Sequence, residues 1–397
     1  MNLYWEICAA VQAATGSVTV SEKNKKSKTG KKAVAIVLAV IILLLSLSAA
    51  FVMIKFKQLR RNAPSVAEDS LTYDFDAHET VPETLGDNPE FDAIFEGTAD
   101  SFKAAIKDWA TNGGDVMYSK DVLNILCIGV DTRNKNTISG LTDSMIIVSV
   151  NKVLGTITLT SVMRDSYAYL ESPDGVGSFN KINSAFPFYG IKNLISTIES
   201  HFKIKIDGYA MINFNFFKAV IDKLGGVTVA VQQYEADYIN KNYNFNIGVG
   251  GAVTLNGEEA LAFCRSRNCD SDGDISRTRR QRQVLVALLQ KAATIQTSEI
   301  TDYITFFLPM FETNYTETEL ISLATKAVVG GWARFSVTQI VMPDEASRYG
   351  HNGSSWFWAV DYPLAAQTLQ KAIYGETNIT LQKDRVTAID LLLGKGE

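Results

Sequence analysis

The chain has 397 residues, of which 46% are hydrophobic and 20% are charged. This composition is typical of a folded protein with one large domain or two smaller ones. The formal net charge of −5 argues against a nucleic-acid-binding protein, whose charge is broadly basic. Positive charge is therefore expected to act locally, within a site.

An apolar run occupies residues 33–54, with Ser46 and Ser48 as its polar members. A helix of this length reaches about 33 Å, enough to cross a bilayer. Basic residues follow the run directly and no small-residue cleavage site is evident, which favours an uncleaved anchor over a signal peptide. Six lysines precede the run and four basic residues follow it. This asymmetry predicts a single-pass protein of the cell membrane, with a cytoplasmic N-terminus and an extracellular C-terminal domain.

Residues 62–100 are rich in Asp, Glu, Pro and Thr and predict a solvated stalk, followed by a short helix over 102–109. Strand and helix patterns then alternate. Strands are predicted at 122–130, 144–150, 156–163, 226–231 and 335–341. Helices are predicted at 191–201, 214–224, 277–293, 317–328 and 362–372. Buried strands interleaved with helices indicate a three-layer α/β/α sandwich, and the short connections indicate a mixed central sheet.

Arginine is concentrated in one segment of the chain, residues 255–283. Six arginines fall within eighteen residues there, namely Arg265, Arg267, Arg277, Arg279, Arg280 and Arg282. The planar guanidinium group binds phosphate through paired hydrogen bonds and keeps its charge at any ordinary pH. A solvated helix face would usually alternate arginines with acids, so the group as a whole predicts a phosphate-binding site.

The arrangement of these arginines follows from the secondary structure predicted around them. Arg265 and Arg267 are two residues apart, so in an extended segment they point the same way. If a helix begins near Asp274 as its N-cap, Arg277, Arg280 and Gln281 share one face and point inward. On that helix Arg279 and Arg282 are predicted to face water.

Aspartates stand where predicted strands end or begin. Asp131 and Arg133 follow the strand at 122–130, Asp143 precedes the next strand, and the pair Arg164-Asp165 follows the third. Ligands in α/β sheets bind beyond the carboxyl ends of strands. Asp131 and Asp143 are predicted to meet across the turn and to hold Mg²⁺, which prefers oxygen ligands and substrate phosphates.

Two cysteines, Cys264 and Cys269, lie beside the arginine segment. In an exported domain they allow one disulfide, but two free thiols fit the sequence equally well, because spacing does not determine pairing.

Taken in order, these motifs resemble the LytR-CpsA-Psr family of cell-wall glycopolymer ligases. They are GVDTR (129–133), DSM (143–145), TSVMRDSY (160–167), NKINSAF (180–186), LGGV (224–227), LNGEEALAFCRSR (255–267) and GDISRTRRQRQ (273–283). The single anchor also fits the family. Cys264 and Cys269 beside the arginines, and Met163 where many members have proline, are departures from its pattern. The resemblance implies a cytoplasmic tail (1–32), an anchor (33–54), a stalk with a linker helix (55–115), a catalytic domain (116–375) and a C-terminal tail (376–397).

The resemblance also implies an activity. Such a protein transfers a glycopolymer, a teichoic acid or a capsular polysaccharide, from a polyprenyl pyrophosphate carrier to peptidoglycan through a phosphodiester bond. Carried over by position, Asp131 and Asp143 hold Mg²⁺ (or Mn²⁺). The pyrophosphate is bound by Arg133, Arg164, Arg265, Arg267, Arg277, Arg280 and Gln281. Asp274 orients the arginines, and the catalytic set is Asp131, Arg164, Arg267 and Asp274.

Two other functions fit the same residues. A phosphatase would hydrolyse the lipid pyrophosphate, with water as the acceptor in place of a sugar. A noncatalytic membrane regulator would bind lipid-linked glycans without turnover, and its aspartates would be dispensable.

Overall fold

The computed structural model describes residues 100–130, 142–267, 269, 273–294, 303, 306–307, 311–352 and 355–395. The predicted transmembrane segment and the predicted site residues Asp131 and Arg133 lie outside these ranges. Among the residues that are described, no helix is both long and apolar enough to cross a membrane.

A six-stranded mixed sheet forms the centre of the described domain. Its strands are β1 (Val122–Val130), β2 (Thr142–Asn151), β3 (Thr156–Val162), β6 (Gly208–Asn213), β9 (Glu312–Thr313) and β10 (Ser336–Met342). Their order is β10-β3-β2-β1-β6-β9. β10 is parallel to β3 and β6 is parallel to β1, whereas β2 is antiparallel to both of its neighbours, β1 and β3. The prediction of a mixed central sheet is confirmed.

Three pairs of antiparallel strands lie outside the central sheet. They pair β4 (Tyr167–Glu171) with β5 (Gly177–Lys181), β7 (Val227–Val231) with β8 (Gly250–Leu255), and β11 (Arg348–Asn352) with β12 (Trp356–Val360). The longer helices are α1 (Asp100–Asn112), α2 (Ala185–Phe202), α3 (Phe214–Lys223), α4 (Gln233–Tyr243), α5 (Gly257–Arg265), α6 (Asp274–Ala292), α7 (Glu317–Val329) and α8 (Tyr362–Tyr374). The short helix α9 (Ala388–Leu392) comes last.

Helices cover both faces of the sheet because alternate residues of its strands are apolar on either side. On one face, Met145 and Ile147 of β2 join a large core with side chains of α1, α2 and α8. On the other, Ile146 and Val150 pack beneath α6. A separate apolar cluster lies under the β7–β8 hairpin, among α3, α4, α5 and α6.

The register of the sheet brings three strand ends to one edge. Val130, the last residue of β1, pairs with Thr142 at the start of β2. Ile146 of β2 pairs with Ser161 near the end of β3, because these two strands are antiparallel. Asp143 and Arg164 therefore emerge at the same end of the sheet, where α6 also begins.

Candidate functional site

Five side chains from four parts of the chain converge at this end of the sheet. Arg164 follows β3, Asp143 lies in β2, Arg267 follows α5, and Asp274 and Arg277 occupy the first turn of α6. The backbone around Arg164 is fixed by neighbouring elements. The amide of Met163 donates to the carbonyl of Met342 at 2.7 Å, and the hydroxyl of Ser166 donates to the carbonyl of Met163 at 2.8 Å.

Three guanidinium groups contact the carboxylate of Asp143. Arg164 Nη1 donates to Asp143 Oδ1 at 2.7 Å, and Arg267 Nη2 lies 3.4 Å from the same oxygen. Arg277 Nη1 lies 4.0 Å from it, and Arg277 Nη2 donates to the Asp143 carbonyl at 3.2 Å. The predicted convergence of Arg164, Arg267 and Arg277 beside Asp143 is present in the structure.

Asp274 holds the same three arginines from the side of the helix. Its Oδ1 lies 2.6 Å from Arg277 Nη2, 3.7 Å from Arg164 Nε and 3.9 Å from Arg267 Nε. The prediction that Asp274 is an N-cap is wrong: Gly273 takes that position, and Asp274 is the first residue of α6. Within the first turn its carboxylate faces Arg277 three residues later, so it stabilises the arginines in place of the helix amides.

The cluster is only partly open to solvent. Arg277 is 2% exposed, and burial lowers its pKa to about 10; the charges of Arg164 and Arg267 also lower it, against Asp274 and Asp143. Burial also acts to lower the pKa of Arg164, but Asp165, Asp274 and Asp143 outweigh it and the pKa is raised. Both Arg277 and Arg164 are therefore charged at neutral pH.

Sequence reasoning gave no role to two charged residues beside the cluster, Asp165 and Lys181. Asp165 Oδ2 lies 3.4 Å from Arg164 Nε, and its Oδ1 lies 3.0 Å from Lys181 Nζ. Lys181 is the last residue of β5 and belongs to the motif NKINSAF. Its distance along the sequence from Arg164 predicts no contact with the cluster unless the β4–β5 hairpin is recognised. Among the described residues, four cationic side chains thus face three carboxylates, and this excess of positive charge favours an anion.

Arg265 and Gln281 are placed differently from the predicted cluster. Residues 257–265 form α5, so Arg265 ends a helix and the predicted extended segment is wrong. The exposed guanidinium of Arg265 lies 4.5 Å from the centroid of the Phe214 ring. Gln281 is one turn after Arg277, and its buried amide oxygen accepts no hydrogen bond from the described residues.

The contacts seen for Arg280 are with residues outside the cluster. It is fully buried; its Nη1 lies 3.1 Å from Glu235 Oε1, and its Nη2 donates to the carbonyl of Ser266. This places it between α4 and the segment after α5, where it stabilises the fold, and corrects the prediction that it faces the diphosphate. Arg279 is half-exposed and shares Glu235 at 3.1 Å.

The prediction that Arg282 faces water is also wrong. Its side chain is 7% exposed, and Nη1 donates to the Ser161 hydroxyl at 2.7 Å. Arg282 lies three, four and seven residues before Leu285, Val286 and Leu289, the side chains with which α6 packs on the sheet. That spacing is the sequence signal that could have indicated its burial.

The donor chemistry of the cluster suits a hard divalent cation. Asp143 supplies carboxylate oxygens at the strand end, and Asp274 pairs with the arginines through Oδ1 and leaves its buried Oδ2 without a contact from the described residues. Oxygen ligands of this kind fit Mg²⁺. No group of three His, Cys, Asp or Glu side chains suited to a metal occurs within the described ranges, which leave out the second predicted ligand, Asp131.

No disulfide joins Cys264 and Cys269 in the structure. Burial raises the pKa of Cys264 to about 12, with a smaller opposing effect of Arg280. Of the two alternatives left open by the sequence, the structure has the unbonded one.

The LytR_cpsA_psr family model matches residues 94–373. The polyisoprenyl-teichoic acid–peptidoglycan teichoic acid transferase TagU of Bacillus licheniformis is 36% identical over 183 residues, or 46% of this chain and 56% of that protein. The chain spans about half the length of the curated relatives it matches.

Two solved structures share the fold. TagT bound to LIIa-WTA has a TM-score of 0.53 at 23% identity, covering 67% of this chain and 97% of that one. TagT with bound octaprenyl pyrophosphate lipid has a TM-score of 0.50 at 22% identity, covering 65% and 93%. Because the family model matches well over half of its length, the chain belongs to the LytR_cpsA_psr family.

Proposed function

We propose that this protein transfers a glycopolymer from a polyprenyl pyrophosphate carrier to peptidoglycan through a phosphodiester bond. The observation that carries the proposal is the convergence of Arg164, Arg267 and Arg277 on one pair of carboxylates, Asp143 and Asp274. The transferase name of the TagU relative and the lipid bound by TagT support this choice of substrate.

The cluster is built to exchange its internal ion pairs for a diphosphate. In the structure each of the three guanidinium groups is ion-paired with Asp143 or Asp274, and the side chain of Arg267 remains 39% exposed. A diphosphate joined to lipid and glycan carries about two negative charges on about four nonbridging oxygens, as the two carboxylates do, so it can replace them, and the planar guanidinium binds it through paired bonds. Arg133, Arg265 and Gln281 are proposed to extend this binding surface, as the family resemblance implies.

The chemistry is a displacement at phosphorus. A sugar hydroxyl of peptidoglycan attacks the phosphorus bonded to the glycopolymer, the bond to the bridging oxygen breaks, and polyprenyl phosphate leaves. The proton of the hydroxyl passes to a carboxylate of the cluster. Negative charge grows on the leaving and nonbridging oxygens, and prealigned guanidinium groups stabilise it without reorganisation.

Asp143, together with Asp131, is proposed to hold Mg²⁺ or Mn²⁺ beside the diphosphate. When bound, the cation would neutralise charge on the phosphate oxygens. Asp274 keeps Arg277 and its neighbours oriented, which its contacts at 2.6 and 3.7 Å support.

The apolar segment 33–54 is proposed to anchor the protein, with the transferase domain outside the cell. A carrier lipid is confined to the bilayer, so an enzyme anchored in the same membrane meets its substrate in two dimensions. The polymer itself, teichoic acid or capsular polysaccharide, is set by groups beyond the diphosphate.

Purified full-length protein in detergent tests the proposal when mixed with a polyprenyl pyrophosphate-linked glycan, Mg²⁺ and peptidoglycan fragments. A covalent glycan–peptidoglycan product supports the transferase. Free phosphate without that product identifies a phosphatase, and binding without turnover identifies a regulator. The matched variants are Arg267→Ala, which should lose product, and Arg334→Ala, an exposed arginine outside the cluster, which should keep it.

A further inference from the structure

Arg282 is a buried cation with no carboxylate partner among the described residues. It is 7% exposed, its Nη1 donates to the Ser161 hydroxyl at 2.7 Å, and its buried Nε has no hydrogen-bond acceptor within the described part of the chain. A guanidinium withdrawn from water without a counter-ion destabilises a fold. A side chain kept in such a place calls for a reason other than stability.

The contact joins the two elements that carry the arginine cluster. Ser161 lies three residues before Arg164 and is the next-to-last residue of β3. Arg282 lies five residues after Arg277, on the helix that also carries Asp274. The Arg282–Ser161 hydrogen bond therefore joins α6 to β3, the two elements from which Arg277 and Arg164 extend into the site.

The direct ion pairs across the site cannot fix the separation between α6 and the end of β3 during a reaction. Arg164 meets Asp274 at 3.7 Å and Asp143 at 2.7 Å, through the same nitrogens that a diphosphate would engage. Binding of the diphosphate weakens those pairs. The bond between Arg282 and Ser161 lies more than one helical turn beyond Arg277, on the part of α6 that packs on the sheet through Leu285 and Leu289, and it uses no atom that the proposed diphosphate contacts.

We propose that Arg282 is a positioning residue, which fixes the separation of Arg164 from Arg277 by holding α6 to the end of β3. This inference rests on the proposed function of the cluster as a diphosphate site. Its consequence is that substitution of Arg282 impairs the site while leaving the stability of the fold unchanged or higher.

Two variants separate positioning from charge. Arg282→Met removes both the bond and a positive charge, whereas Ser161→Ala removes the bond and keeps the charge. Both should lower kcat/KM by roughly ten-fold to a hundred-fold, because small displacements of aligned groups have effects of that size. The double variant should be no worse than the more impaired single variant, since both remove one link.

Arg282→Lys and Arg334→Met complete the set. Lysine retains a donor for Ser161 and should recover part of the activity, whereas Arg334→Met lowers the net charge equally at an exposed position and should be neutral. Thermal melting of each variant reports stability. Loss of activity in Arg282→Met alone, with Ser161→Ala like wild type, would show an electrostatic effect and overturn the proposal, as would full activity in Arg282→Met.

Binding of inorganic pyrophosphate, measured by calorimetry, keeps this test separate from the proposed function. If the wild-type protein transfers no glycan but binds pyrophosphate, the proposed function fails while the positioning role is still tested by the affinities. Ser161→Ala and Arg282→Met should then both weaken pyrophosphate binding, by about ten-fold, relative to Arg334→Met. Equal affinity in all of these proteins would refute the role of Arg282.

Discussion

Replacement of Arg267 by alanine should separate activity from stability. Arg267 is 39% exposed and lies 3.4 and 3.9 Å from its two carboxylate partners, so its loss should lower the free energy of unfolding by at most about 1 kcal/mol. That change corresponds to a shift in melting temperature of only about 2–4 °C for a domain of this size.

The effect on turnover should be far larger. A guanidinium that stabilises a phosphoryl-transfer transition state contributes about 10³-fold or more to the rate. Arg267→Lys keeps the charge but loses the planar pair of donors, so it should fall between the alanine variant and wild type.

The assay is formation of glycan-linked peptidoglycan by the full-length protein, with a thermal melt of each variant in the same buffer. Arg334→Ala serves as the control for removal of an exposed arginine. Turnover of Arg267→Ala within a factor of two of wild type would refute the role assigned to it. A large drop in melting temperature would show that the side chain acts on the fold instead.

Three further predictions concern other charged groups. Asp143→Ala should lower turnover at least about 100-fold in a protein that still melts cooperatively, because prealigned electrostatic groups contribute on this scale; wild-type turnover would contradict its role. Glu235→Gln should lower the free energy of unfolding in urea by roughly 3 kcal/mol, since it removes the carboxylate that pairs with buried Arg280 at 3.1 Å, and added Arg280→Met should restore part of it; equal urea midpoints would contradict this. Burial lowers the pKa of His201 to about 4, so as the pH falls the unfolded chain takes up a proton at this residue before the folded protein does. Stability should therefore fall as the pH drops from about 6.5 toward 4. The melting temperature of His201→Gln should fall less steeply over this range, and parallel plots of melting temperature against pH for the variant and wild type would contradict this role of His201.

Four of the six central strands, β1, β2, β3 and β10, were predictable because their patterns are strong and local, whereas β6 and the two-residue β9 were not predicted. Residues 122–130 alternate buried and half-buried side chains along β1, as the run VLNILCIGV indicates. The turn at 151–155 sets the register of β2 against β3, and a register slip would turn their apolar faces outward. The predicted helix at 191–201 begins later than α2, because Gly190, with φ 80°, interrupts the helical pattern that starts at Ala185.

The strands of the β4–β5 and β11–β12 hairpins, and β8, were missed because each depends on tertiary packing. β5 (Gly177–Lys181) has no buried residue, so its sequence carries little alternation, and it is fixed by pairing with the buried strand β4. Without that hairpin, Lys181 cannot be placed beside Asp165. The β7–β8 hairpin similarly needs the apolar cluster beneath it.

The arginine cluster could be predicted in outline, but its members could not be sorted from sequence. Helical spacing groups Arg280 with Arg277, yet Arg280 turns to Glu235 of α4, a helix that the sequence did not indicate. Arg282 was assigned to solvent because it lies off the helix face shared by Arg277 and Arg280, although its spacing from Leu285 and Leu289 places it on the apolar stripe. In both cases the partner, distant in sequence, decides where the guanidinium lies.

A crystal structure of the protein with bound pyrophosphate would locate the diphosphate site directly. We expect one diphosphate whose oxygens lie within hydrogen-bond distance of the guanidinium groups of Arg164, Arg267 and Arg277. A diphosphate bound elsewhere, with these three arginines still paired to Asp143 and Asp274, would refute the assignment of this cluster as the diphosphate site.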